Sequence, residues 1–214
     1  MQLKSGEDMA WSRIAAALAF AALSVSSPAV SIPIDPSPDS AEQRESLRRL
    51  TVCLAEARPR WARQTLAYPY LSDAQRYSAS AALVGRDSCA TGPETEFTFR
   101  TSSLVGSLAE HFVESDLRGV DFRRVAQAIN RVAPRNASED FALCVAARNP
   151  VAVRDLVVSE PGSANERRAA EQLARHLPDC FQPDERQEVD LQALRALMAT
   201  ALYRGVRSAL AGGN

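Results

Sequence analysis

Apolar positions recur at helical spacing through most of the 214-residue chain, and strand-like alternation is rare. Leu47, Leu50, Leu54 and Ala57 fall on one face of a helix that opens with Ser40 and Gln43 at capping-box spacing, and Cys53 flanks that face. Pro59 restarts the chain as a first-turn proline, predicting a short helix to about Ala67 that Pro69 closes. Ser72 and Gln75 repeat the capping-box spacing and open a helix to about Gly85, with Cys89 beyond it. Leu104, Leu108, Ala109 and Phe112 then mark a further helix.

The second half follows the same order. Phe141, Cys144 and Val145 take the inner face of a helix, Asn149 caps and Pro150 restarts, and Pro161 ends the short helix. Ser163 and Glu166 form the next capping box, ahead of Ala170, Leu173, Ala174 and Leu177 on one face. At a constant offset of 91, Cys53 matches Cys144, Pro59 matches Pro150, Arg63 matches Arg154, Ser72 matches Ser163, Arg76 matches Arg167 and Cys89 matches Cys180. The closing helix recurs at an offset of 90, with Leu194, Met198, Ala199 and Leu202 in the places of Leu104, Leu108, Ala109 and Phe112.

Four cysteines allow three pairings, and two copies of one unit favour Cys53 with Cys89 and Cys144 with Cys180, each pair 36 residues apart. The rival reading, a redox or metal site, lacks a CxxC, and its thiols lie in separate elements. Between the units, "DFRRVAQAINRV" puts Phe122, Val125, Ala126, Ile129 and Val132 on one face of a connecting amphipathic helix, with Arg123, Arg124 and Arg131 outside. Residues 95–100 and 186–191 alternate enough for a very short strand. The expected fold is all-α: two tandem disulfide-stapled helical repeats, residues 40–117 and 137–214, joined by an amphipathic helix within 118–136.

Residues 1–31 have a basic start, the apolar run "IAAALAFAALSV" and small residues ending "PAVS", the layout of a secretory signal peptide cleaved after Ser31. The run is too short to span a bilayer, which needs about 20 residues. Met9 offers a more usual start than Met1, because "SGEDM" is acidic. Residues 32–39, "IPIDPSPD", read as an extended Pro-rich linker. Export to the periplasm or beyond, with paired cysteines in an oxidising space, follows from this reading.

The pattern "C…P…R…P-x-S-x-x-E-R", followed by a cysteine and a closing helix, resembles a family of uncharacterised exported helical-repeat proteins of GC-rich alphaproteobacteria. It covers both halves from about Cys53 to Tyr203 and is clearest in "EPGSANERRA", whereas the first half reads "YPYLSDAQRY". The resemblance implies fold and export, and it carries no functional residue over to this chain.

Composition narrows function mainly by exclusion. Twenty-five basic and 26 acidic residues give no basic excess for nucleic acid or anionic lipid. Lys4 is the only lysine, a habit of GC-rich coding rather than of arginine-specific recognition. His111 and Glu114 share a helical face but have no second pair, and no HExxH, G-x-S-x-G or Gly-rich phosphate loop occurs, so neither metal, cofactor nor catalytic residue is assigned.

Trp61, Tyr68, Tyr70 and Tyr77 cluster in the first unit only, and such residues either anchor a partner or fill the gap between short helices. The arginines shared by both units, Arg63 with Arg154 and Arg76 with Arg167, suggest work inside each unit. The expectation is a non-enzymatic periplasmic or secreted interaction or scaffold protein with an unknown protein or envelope component as partner. A small periplasmic chaperone and a hydrolase with an unfamiliar carboxylate site are the alternatives.

Overall fold

The computed structural model of the protein describes residues 34–35, 41–84, 89, 100–181 and 189–212. The expected signal peptide at 1–31, most of the linker at 32–39, Ser40 and residues 95–99 lie outside the described residues. Nine α-helices run through the rest. The first unit holds α1 (Ala41–Ala57), α2 (Pro59–Ala67), α3 (Asp73–Val84) and α4 (Thr101–Asp116). After α5 (Phe122–Ile129), the second holds α6 (Ala137–Arg148), α7 (Pro150–Val158), α8 (Ala164–Ala174) and α9 (Leu191–Ala211). The protein is all-α apart from two short strands. Helices α2 and α7 both begin and end 91 residues apart, α3 and α8 begin 91 apart, and α4 and α9 begin 90 apart.

The breaks between helices follow from local chemistry. Pro59 and Pro150 start α2 and α7 where a missing N–H costs nothing, and the Asn149 side chain accepts from the Ala152 N–H at 3.1 Å to cap α7. Ser72 and Ser163 accept from the N–H groups of Gln75 and Glu166 at 3.3 and 3.1 Å. The residues just before those two caps, Leu71 and Gly162, both turn left-handed, with φ of 54° and 80°. Glycine adopts that conformation freely, whereas leucine does so at a cost.

Helices α4 and α9 make the central pair, and α9 also packs on α5, α6 and α7. Every position expected on the inner face of α4 and α9 is buried, as are Leu47, Leu50 and Leu54 of α1. Ala57 is exposed instead, and Thr51 and Ala55 complete the inner face of α1. The buried side chains of both units form one continuous cluster, from Leu47 to Ala209. Where α4 crosses α9, a Cβ placed on Gly106 would lie 2.5 Å from the Ala196 Cβ, so the absent side chain sets how closely the two backbones approach.

The connecting helix is shorter than the expected 118–136. A 3-10 turn at Leu117–Gly119 precedes it, and Asp121 caps α5 by accepting from the Arg123 N–H at 2.9 Å. It buries Val125, Ala128 and Ile129 against α9 and α6, with Phe122 and Val132 packed beside them. Two strands, β1 (Ile34–Asp35) and β2 (Val189–Asp190), pair in parallel, placing Ile34 beside Val189. The linker segment thus touches the second unit.

Both disulfides close inside their own unit, Cys53–Cys89 and Cys144–Cys180, with Cα separations of 5.7 and 5.8 Å. Two oxidised pairs point to an oxidising, non-cytoplasmic compartment. Among the described residues no helix is long and apolar enough to cross a membrane.

Candidate functional site

The most concentrated polar chemistry lies where each unit grips the other's loop. In the first unit, the Gln75 side chain folds back over the α2–α3 loop: its Oε1 accepts from the Leu71 N–H at 2.7 Å, and its Nε2 donates to the Thr65 carbonyl at 3.0 Å. Glu166 stands 91 residues later and accepts from the Gly162 N–H in the same way. A carboxylate has no N–H to give, so the Leu156 carbonyl, counterpart of Thr65, needs another donor.

Arg195 of α9 supplies it. Its Nη1 donates to the Leu156 carbonyl at 2.8 Å and to Glu166 Oε1 at 3.1 Å, and its Nη2 donates to the carbonyls of Val157 and Ser159 at 2.8 and 2.9 Å. Its Nε donates to Glu110 Oε1 at 2.7 Å, completing a chain of charge from α4 through α9 to α8. Arg44 of α1 extends that chain across the units to Glu166 at 3.3 Å. At an offset of 90 the place of Arg195 is taken by Val105, so the first unit, with its amide, does without the guanidinium.

The opposite grip centres on Glu139. Its carboxylate accepts from the Tyr70 N–H of the α2–α3 loop at 2.9 Å, from the Arg135 N–H at 2.8 Å, from Arg135 Nη2 at 2.6 Å and from Arg204 Nη1 of α9 at 2.7 Å. Arg135 also donates to the carbonyls of Ala67 and Tyr68. Arg135 and Arg44 stand 91 residues apart, so each unit sends an arginine from the start of its first helix to the loop of the other.

The electrostatics follow from these contacts. Burial pushes Glu139 up, but the bonds from Arg135, the Tyr70 and Arg135 N–H groups and the nearby Arg204 outweigh it and hold the carboxyl below its ordinary value. Burial alone would lower Arg195, and Glu110 and Glu166 more than offset that, keeping it charged. Such pairs hold geometry through charge-assisted bonds while contributing modest net stability.

The four aromatic residues do not form one face. Tyr70 is buried, and burial followed by the field of Asp190 raises its phenol well above the usual range. Trp61 is half-buried and donates from Nε1 to the Ser78 carbonyl at 3.0 Å, and Tyr68 accepts from Gln64 Nε2 at 3.2 Å. Tyr77 stands apart on α3, 79% exposed. Of the shared arginines, Arg63 binds Asp116 at 3.1 Å and lies 4.2 Å over the Phe112 ring, while Arg154 binds Asp155 at 2.7 Å and lies 4.8 Å over Phe122. Arg76 and Arg167 are exposed.

His111 is half-buried, with its ring edge-on to Phe112 at 5.2 Å. Among the described residues no group of three or more His, Cys, Asp and Glu side chains could hold a metal ion.

Sequence reasoning missed Arg44, Glu110, Arg135, Glu139, Arg195 and Arg204. One usable signal was present: the units differ at Gln75 against Glu166 and at Val105 against Arg195, two changes that make sense only together. The chain matches no family model, no curated protein and no solved structure, so this site is read from its own geometry.

Proposed function

We propose that the protein acts by binding, as an exported helical interaction module that is periplasmic or secreted once residues 1–31 are removed. One observation supports this above others: Glu139 and Glu166, the two buried carboxylates, each accept from a backbone N–H of a loop and from arginines on other helices. Carboxylates so engaged fix the relative orientation of the units. A general acid needs a raised value, and Glu139 is lowered, which argues against a glycosidase-like role for it.

A rigid two-unit frame suits the presentation of a surface, and Tyr77 is the most exposed large apolar side chain on it, with Arg168 at the equivalent place in the second unit. Exposed tyrosine is a favoured interface anchor. A photo-crosslinking amino acid placed at Tyr77, and separately at Arg168, tests this in the exported full chain. A discrete adduct from position 77 alone is expected; equal adducts from both positions, or none from 77, would reject this face as the partner's contact.

A further inference from the structure

Two notches flank the junction, in places related by the 91-residue offset. One, of about 310 Å³, is lined by Tyr70, Arg135 and Glu139. The other, of about 400 Å³ including its mouth, is lined by their counterparts Pro161, Arg44 and Arg48, together with Ser103 and Ser107 of α4. The first notch contains its own carboxylate, because Glu139 receives both guanidinium nitrogens of Arg135 and Arg204. In the second, the residue in the place of Glu139 is Arg48.

That exchange leaves donors without acceptors. Arg44 and Arg48 are four residues apart on α1, a like-charge spacing that is unfavourable unless something neutral or negative lies between them. The Arg44 Nε is buried and has no hydrogen-bond partner. Its Nη1 reaches Glu166 only at 3.3 Å, and Arg48 reaches Glu114 only at 3.4 Å. Glu110, which also lines the notch, is already neutralised by Arg195 at 2.7 Å. Pro161 has no N–H, so here the arginines and the serine hydroxyls are the donors on offer.

We propose that the notch between α1 and α4 is a binding site for a small carboxylate, which sits between Arg44 and Arg48 where the Glu139 carboxylate sits in the other unit. Guanidinium groups with spare N–H donors match carboxylate geometry. The inference concerns a ligand site and does not depend on the role of Tyr77.

The test titrates the purified full chain with sodium acetate against sodium chloride at matched ionic strength and neutral pH, following melting temperature and the arginine Nε–H signals by NMR. Acetate should raise the melting temperature saturably and move the Arg44 Nε–H signal. Arg48→Glu writes into the first unit the carboxylate that Glu139 supplies in the second, and should weaken the acetate response at least tenfold in a folded protein. Arg76→Glu makes the same charge change on exposed α3 and should leave the response intact.

The site is overturned if acetate does no more than chloride, if Arg48→Glu responds as the parent does, or if Arg76→Glu loses the response equally. A response to inorganic phosphate without one to acetate overturns the carboxylate assignment. Should Arg48→Glu fail to fold, the Arg44 signal of the parent protein decides alone: no movement on acetate addition rejects the site.

Discussion

Gly106 of α4 lies so close to Ala196 of α9 that a methyl group on it would come within 2.6 Å of the Ala196 Cα, a backbone atom that cannot swing aside. The two residues are 90 apart, the offset that relates the two helices, so the crossing brings equivalent positions face to face. Gly106→Ala should force the central pair apart and destabilise the protein by about 1–3 kcal/mol, the usual cost of overpacking. The double change Gly106→Ala with Ala196→Gly moves the methyl group to the other partner and should recover most of that loss, as urea denaturation would report.

Glu166 and Arg195 should be replaceable only as a pair. Arg195→Val alone leaves a buried carboxylate and three carbonyls without their donor and should cost about 3–5 kcal/mol, as breaking buried ion pairs does. Adding Glu166→Gln reproduces the Gln75 and Val105 combination of the first unit and should restore a clear part of the stability. A double-mutant cycle measures this, with a coupling near zero counting against it.

Acid should loosen the Glu139 grip. Its folded-state value lies below the ordinary 4.5, so its stabilisation is complete above that pH and is lost as pH falls through the lower, folded value. Glu139→Gln should therefore be less stable than the parent at pH 7, with the gap closing in strong acid. Denaturation curves at a series of pH values would show a constant gap if the carboxylate charge were irrelevant.

Each disulfide spans 36 residues. Replacing either cysteine pair by serine should remove about 3–4 kcal/mol in the chain-entropy description of cross-links. Paired denaturation of the two double mutants checks the magnitude, and equal losses are expected from equal loop lengths.

The helix order, the proline restarts, the serine caps and the cysteine pairing were legible because each depends on residues within one turn or on a repeated spacing. Capping-box logic correctly placed Ser163 and Glu166 at a helix start, but the Glu166 side chain serves the Gly162 N–H and Arg195, a residue 29 positions away. Arg135, Glu139 and Arg204 likewise meet only through the packing of α6 and α9 on the α2–α3 loop. No local pattern encodes such meetings. Ala57 and Ala128 show a smaller error of the same origin, since helical periodicity names a face but tertiary neighbours decide its edges.

Helix α9 is the last of the described elements to leave a ribosome or an export channel, and α4, α5, α6 and α7 all pack on it. Until it follows, those helices have their apolar faces in water, and each unit is a half-built wall. The protein thus cannot mature piecemeal from its amino end: its core closes in one late step, and the interval before it is when the chain depends most on whatever shields it during passage.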